Sequence, residues 1–325
     1  MNLRIALLSL AEHHRLSPAA GQRLRELAGF DKPPRALRHY LPIGMSVLGA
    51  ALAGLGLVFW VAANWDALPR AGRFALLETG VAAALLGAWR FPVARMPLSL
   101  LGFLACGGLF AFFGQTYQTG ADPWQLFALW AALTLPLCLG VRHDVLWTAW
   151  VMVALTAAEL YAQVQTNRFW WWSDRHISLL GSLGAWLPSL LLALALKLVP
   201  TQLTGAGAWP VRVSMIYATI GLVGMSVRIV FRDTHGNLYL LSLLIVAVLF
   251  ACFSRRRWFD IFVLSALGLG ANVLLVCGLG SKMLGTRGSE LGALLLIACA
   301  SAALLAATVK LIVRIARAHG QEDVA

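Results

Sequence analysis

Long apolar runs recur along this chain, and they restrict its fold more than any other feature. The run LLSLLIVAVLFACF, for example, extends from Leu240 to Phe253 without a charged residue. In hydrocarbon every backbone N–H and C=O group must be hydrogen-bonded within the protein, so only helices and closed barrels span a membrane. Barrel strands alternate in polarity over about ten residues, and these runs do not alternate. The sequence therefore predicts an all-α, polytopic integral membrane bundle.

The composition argues against a soluble fold. Of the 325 residues, 60% are hydrophobic and only 12% are charged, and the mean hydropathy is +0.76. A soluble chain of this size needs far more polar surface. The net charge of +12 suits cytoplasmic loops that face anionic lipid, and we favour this interpretation over nucleic-acid binding. Membrane lipids are therefore the expected surroundings.

The rule of about twenty apolar residues per crossing predicts about ten transmembrane helices. The predicted spans are Ile43–Ala63, Arg73–Trp89, Pro97–Phe113, Trp124–Val141, Val145–Tyr161, Ile177–Val199, Val211–Val230, Leu238–Phe253, Phe259–Leu279 and Leu291–Ile315.

The distribution of lysine and arginine predicts the orientation. With a cytoplasmic N-terminus, 18 of the 26 basic residues fall on the cytoplasmic side and 8 on the other side, as the positive-inside rule requires. The run Ser254–Arg257 is the strongest single anchor. An even number of spans then places both termini in the cytoplasm. The expected location is the bacterial inner membrane.

The first forty residues are the most polar part of the chain. Ser17 and Pro18 form a typical helix start, and Leu24 and Leu27 give the following helix one apolar face. We predict a cytoplasmic helical hairpin over residues 1–40 that packs on the membrane domain, lies on the membrane surface or binds a protein partner. The bundle then covers residues 41–317, and a cytoplasmic tail covers 318–325.

Polar residues within or beside the spans are the candidate functional residues, because an ionisable group in lipid needs a partner or a function. Under the predicted topology nearly all of them lie in the outer leaflet. They form a candidate polar pocket that comprises Asn64, Asp66, Glu78, Gln115, Tyr117, Asp122, Glu159 and Asn272. Such a patch suits a solute pocket, an ion vestibule or a docking surface. The simpler alternative is a set of helix caps and ordinary pairs, such as Asp66 with Arg70 at i, i+4 spacing.

Signatures of enzymatic chemistry do not occur in the sequence. It contains no GxSxG, HExxH or P-loop motif. The seven histidines fall in loops or tails without ligand spacing, and the five cysteines fall inside apolar runs without CxxC spacing. We therefore predict no enzyme activity, no cofactor and no metal site.

Two segments resemble a known family. GLGLVFWVAANWDALPRAGRFALL (54–77) and FGQTYQTGADPWQLFALWAALTLPLCL (113–139) are similar to the bacterial membrane-protein family called domain of unknown function 2157. The resemblance covers roughly residues 1–145. The residues that match by position are Asn64, Trp65, Gly114, Gln115, Tyr117, Trp130 and Pro136. The family implies location and architecture but no activity.

Two functions therefore stay open. The first is a transporter or channel for a small solute that uses the polar outer-leaflet residues, with Glu78 carrying charge or a proton. The second is a non-transporting scaffold or assembly partner that binds through residues 1–40 or its outer loops. A lipid-directed enzyme would need an activated nucleophile or paired carboxylates, and only Glu78 and Glu159 lie within the spans.

Overall fold

The protein is all-α in the part of the chain that the computed structural model describes. That part comprises residues 13–14, 17–27, 35–64, 69–117, 120, 122–165, 183–184, 186–232, 236–283 and 290–322. Within these ranges there are twelve α-helices, two 3-10 turns and no strand, so the predicted fold class is confirmed. The helices are α1 Pro18–Leu27, α2 Arg35–Ala63, α3 Arg70–Arg90, α4 Arg95–Tyr117, α5 Pro123–Val141, α6 Asp144–Gln165, α7 Leu187–Leu198, α8 Thr201–Thr204, α9 Ala208–Arg232, α10 Gly236–Phe253, α11 Ile261–Met283 and α12 Glu290–Glu322.

Eight of the described helices are long and apolar enough to cross a membrane, namely α2 to α6, α9, α11 and α12. Two more apolar helices, α7 and α10, are shorter. These ten helices correspond to the ten predicted spans. Among the described helix ends the largest difference is at α2, which begins at Arg35 rather than at Ile43. The predicted start of the sixth span, Ile177, lies outside the described residues.

Residues 1–53 form the first of two compact units. The backbone N–H of Ala20 donates to Ser17 Oγ at 3.3 Å, which confirms the predicted cap at the start of α1. The next helix, α2, begins at Arg35 and continues through Pro42. Residue 40, the predicted end of the hairpin, therefore lies inside a helix. The other predicted hairpin stripe, Leu3 to Leu10, lies outside the described residues.

Residues 54–325 form the second unit, in which neighbouring helices run antiparallel. In the α3–α4 pair, a Cβ on Gly87 would lie 3.0 Å from Leu98, and one on Gly102 would lie 3.0 Å from Leu85. In the α5–α6 pair, the rings of Trp124 and Tyr161 meet at 4.9 Å. In each pair, therefore, one end of a helix lies beside the opposite end of its neighbour.

The helices α9 and α11 run parallel, as expected for two spans with one helix between them along the chain. Arg212 pairs with Asp260 near the start of both helices, and Thr219 lies beside Gly270 further along. The last helix, α12, returns antiparallel to α11, since Thr308 contacts Gly268 and the final turns of α12 lie near the start of α11. The chain direction thus alternates in each of these described pairs.

The interior of the second unit is packed mostly by apolar side chains. One buried cluster comprises Trp186, Leu222, Met225, Ile229, Val246 and Leu274, and another comprises Val61, Leu77 and Phe112. Most of the buried hydroxyls donate to a carbonyl of their own helix. The hydroxyls of Thr134, Ser214, Thr219, Ser226 and Ser242 all bond the carbonyl four residues earlier. Such hydroxyls are satisfied locally and need no partner from another helix.

Candidate functional site

Glu78 is the most unusual of the predicted site residues, because its side chain is exposed on α3. The helix has 21 residues, which corresponds to a length of about 31 Å at 1.5 Å per residue, the thickness of a hydrocarbon core. Glu78 lies eight residues after Arg70, so it is about 12 Å from that end. Its carboxylate therefore lies on the exposed surface of the bundle, within a helix long and apolar enough to cross a membrane.

The face of α3 around Glu78 is made mainly of small side chains. Ala71, Ala75 and Ala82 are exposed and share its face of the helix at i−7, i−3 and i+4, and the exposed Thr79 flanks that face. The opposite face is buried, with Leu77 only 1% exposed. In membranes, small residues allow the close approach of a second helix, and polar side chains hydrogen-bond across the contact.

Gln115 and Tyr117 also have exposed side chains, at the end of α4. The ring of Tyr117 packs against Phe113 at 4.7 Å and against Phe74 at 5.9 Å. Asp122 precedes α5, but its carboxylate makes no capping hydrogen bond. These residues lie near one end of the bundle without meeting in one cluster.

Asn64 and Glu159 make local hydrogen bonds. Asn64 Nδ2 donates to the carbonyl of Trp60 at 2.8 Å at the end of α2. Gln163 Nε2 donates to Glu159 Oε1 at 3.1 Å within α6. Asp66 lies outside the described residues.

Asn272 is buried at the middle of α11, with 7% of its surface exposed. Thr308 of α12 donates its hydroxyl to Asn272 Oδ1 at 2.9 Å. The amide nitrogen Nδ2 has no hydrogen-bond partner. An unused donor in the interior is costly, so Asn272 is the one member with unmet interior bonding capacity among the seven predicted residues that the structure describes.

The eight predicted residues therefore occupy separate positions. Among the seven that the structure describes, no hydrogen bond or ion pair joins two of their side chains. Six lie near one end of the α2–α6 helices or along α3, whereas Asn272 lies between α11 and α12. The polar pocket stays a prediction.

An ion pair at the opposite end of the bundle was not predicted. Arg212 Nε lies 2.9 Å from Asp260 Oδ2, and its guanidinium lies over the rings of Trp209 and Phe262 at 5.2 and 5.6 Å. Asp260 Oδ1 also accepts the N–H of Phe262 at 2.9 Å, so one carboxylate caps α11 and ties it to α9. The two charged residues lie 48 positions apart in the sequence. The only local signal was the position of Asp260 just before an apolar run.

A second link at that end joins α6 to the turn before α9. Asp144 Oδ1 accepts the N–H of Gly207 at 2.8 Å, and Trp147 Nε1 donates to the carbonyl of Thr204 at 2.6 Å. Between α5 and α6, His143 Nδ1 accepts the N–H of Val145 at 3.2 Å. Burial lowers the pKa of His143, and the neighbouring Asp144 carboxylate offsets part of this effect.

Several residues of the quoted motifs pack α4 against α5. Trp130 donates its indole N–H to the carbonyl of Phe103 at 3.0 Å, and the six-membered part of its ring lies directly over Gly107. A Cβ on Gly114 would lie 2.8 Å from Leu126. The glycines thus make room for large side chains of the facing helix. This gives Gly114 and Trp130 a packing role.

The comparison with protein families agrees with this architecture, whereas two other comparisons found no match. No curated protein and no solved structure matches the chain significantly. Residues 8–147 match the model of a family described as "Predicted membrane protein (DUF2157)", which confirms the resemblance indicated by the motifs around Asn64 and Trp130.

Proposed function

We propose that this protein is a non-catalytic membrane scaffold that binds a second membrane protein through the Glu78 face of α3. The exposed carboxylate of Glu78 carries the proposal. Lipid tails offer no hydrogen bond and no counter-charge, and a charged side chain in the centre of a membrane costs several kcal/mol. A partner helix that covers this face relieves that cost.

The chemistry of the face defines the partner. A carboxylate at membrane depth is best matched by a lysine, arginine or histidine in a transmembrane helix, since such groups pair with one another inside membranes. Ala71, Ala75 and Ala82 allow that helix to approach closely. The partner is therefore a transmembrane helix with one basic residue about 12 Å from the membrane boundary.

A model-peptide experiment tests this proposal. The purified full-length chain, labelled with a donor fluorophore, is reconstituted in phosphatidylcholine vesicles with an acceptor-labelled Leu/Ala transmembrane peptide. The peptide carries either one arginine at the matching depth or no charged residue. We expect energy transfer to the arginine peptide at several-fold lower peptide density than to the apolar peptide, and we expect Glu78→Leu to remove this difference.

Glu159→Gln is the matched control, because Glu159 is half-buried and bonded to Gln163 within its own helix. We expect this variant to bind the arginine peptide like the unaltered chain. Equal transfer to both peptides, or a loss in Glu159→Gln as large as that in Glu78→Leu, would contradict the proposal. Transfer between two differently labelled copies that depends on Glu78 would identify the partner as a second copy instead.

Transport of a small solute is the second candidate function, and Asn272 favours it. Its unbonded Nδ2 is a hydrogen-bond donor at membrane depth, and transporter sites lie near the midplane. A proton-flux assay in vesicles with a potassium diffusion potential tests this function. The candidate predicts a flux that Asn272→Leu reduces while the variant still inserts. A flux that is absent, or unchanged in Asn272→Leu, would reject it.

The remaining expectations belong to the same proposal. The scaffold resides in a bacterial inner membrane, with both termini in the cytoplasm. Residues 1–40 offer a second surface for a partner, and Leu27 at the end of α1 is 82% exposed. Deletion of these residues should release a cytoplasmic partner without changing the binding of the arginine peptide by the Glu78 face.

A further inference from the structure

A row of cations lies on the free face of α12, and it defines a second surface of the bundle. Lys310, Arg314 and Arg317 are all exposed and are spaced i, i+4 and i+7, so they share one face of the helix. Their common face is opposite the one that contacts α11, since Ile312 is buried and His319 stacks on Phe259 at 4.5 Å. We call these three residues the basic stripe.

The apolar part of α12 fixes the depth of the basic stripe. No charged residue occurs from Leu291 to Val309, and these residues span about 28 Å, one hydrocarbon core. Lys310 therefore lies where the core ends. Arg314 lies about 6 Å beyond Lys310, and Arg317 about 10 Å beyond it, so the stripe passes through the layer that contains the lipid headgroups.

The surroundings of the basic stripe leave its charge uncompensated within the described residues. Asp260, which lies just before α11, is already paired with Arg212 at 2.9 Å. Arg255 and Arg257 are exposed at the same end of the bundle and strengthen the positive potential. The outward face of a peripheral helix in this layer meets lipid headgroups.

We propose that the basic stripe binds the phosphate of an anionic phospholipid. Guanidinium groups fit phosphate oxygens with paired hydrogen bonds, and basic clusters at the cytoplasmic ends of transmembrane helices bind anionic headgroups. The exposed side chains of Ala303, Ala306 and Ala307 lie on the same helix face one to two turns before Lys310 and provide an apolar surface for the acyl chains. This site is independent of the Glu78 face.

Native mass spectrometry of the full-length chain tests the proposal directly. The protein in neutral detergent is titrated with phosphatidylglycerol, phosphatidylcholine or inorganic phosphate, and bound adducts are counted. We expect specific retention of phosphatidylglycerol and none of phosphatidylcholine. Because each cation near an anionic surface contributes about 1 kcal/mol, the triple variant Lys310→Gln, Arg314→Gln, Arg317→Gln should bind phosphatidylglycerol about 100-fold more weakly.

A matched control removes the same charge from the same end of the bundle. Arg90, Arg95 and Lys197 are exposed but belong to three different helices, and the variant with glutamine at all three should keep its phosphatidylglycerol adducts. Equal loss in this control would replace the site by a general electrostatic attraction and overturn the proposal.

Two further measurements complete the test. Inorganic phosphate that displaces phosphatidylglycerol at equal concentration would identify a free-anion site and contradict a lipid site. The variant Lys310→Arg, Arg314→Lys, Arg317→Lys keeps the charge and should keep most of the binding. Equal elution volumes and thermal stabilities in neutral detergent establish that all variants are folded, so retained binding in the glutamine variant of the stripe would refute the proposal.

Discussion

Replacing Gly107 with alanine tests the packing of α4 against α5. The added Cβ would overlap the six-membered part of the Trp130 ring. That ring is rigid, and it is also held by its hydrogen bond to the carbonyl of Phe103 and by ring contact with Phe103 at 5.1 Å. The indole therefore has little freedom to move away, and the helices must separate instead.

The expected magnitude combines two opposing effects. Overpacking of a well-filled contact costs about 1–3 kcal/mol, whereas glycine to alanine within a helix contributes about 0.5–1 kcal/mol of stability. We expect Gly107→Ala to lower the free energy of unfolding by about 1–2 kcal/mol. Gly224→Ala in α9 is the control, because a Cβ there would meet no atom within 4 Å, and it should raise stability by about 0.5–1 kcal/mol.

A double-mutant cycle isolates the contact with the ring. Trp130→Phe removes the outer ring atoms and the indole donor, and by itself it costs about 1 kcal/mol for the lost hydrogen bond together with the lost packing. In that background Gly107→Ala should cost little, which gives a coupling energy of about 1–2 kcal/mol. Unfolding by added SDS in mixed micelles, followed by circular dichroism, measures all four proteins. Additive effects would refute the proposed contact, and so would a Gly107→Ala variant as stable as Gly224→Ala.

Three further substitutions test other contacts. The folded-state pKa of His143 lies below its unfolded value, so the free energy of unfolding should fall as the pH drops below about 6.5. His143→Asn offers Val145 an acceptor that does not titrate, so its free energy of unfolding in SDS should change less between about pH 7 and about pH 5. The same dependence on pH in both proteins would contradict this. Asp260→Asn keeps the cap of α11 and loses only the charge partner of Arg212, whereas Asp260→Ala loses both. In the same assay Asp260→Ala should cost about 1–3 kcal/mol, and Asp260→Asn should cost less. Equal losses of stability in the two variants would argue against the cap. Thr308→Val removes the donor to Asn272 Oδ1 and should cost about 0.6–1.7 kcal/mol, and an unaffected midpoint would show that this bond contributes nothing.

The sequence predicted the helices well because their limits are marked locally. Arg70, Pro123 and Asp144 stand at helix starts, where the apolar runs meet charged or helix-initiating residues. The orientation of side chains around each helix was much harder to predict. In a soluble protein a polar stripe identifies the outer face, but lipid is as apolar as the core. Nothing in the sequence therefore indicated that Glu78 and Gln115 would face outward.

Contacts between residues far apart along the chain also could not be predicted from the sequence alone. Arg212 and Asp260 meet because α9 and α11 are parallel neighbours, and this neighbourhood depends on the packing of the whole bundle. Trp130, by contrast, was singled out only through the family resemblance. Its role follows from the glycine of the facing helix, since the ring fills the space that a side chain at position 107 would occupy.

The distribution of polar groups explains why both proposals concern the perimeter of the bundle. Most buried hydroxyls bond their own helix, as Thr219 and Ser226 do, so few interior groups need an external ligand. The exposed charges differ in depth. Lys310 lies at the end of the hydrocarbon core, and its long side chain reaches the headgroups. Glu78 has a shorter side chain and lies about 12 Å inside, so headgroups do not reach it. Both the basic stripe and Glu78 therefore require a counter-charge. In the two proposals an anionic lipid supplies it at the basic stripe, and a transmembrane helix of a partner protein supplies it at Glu78.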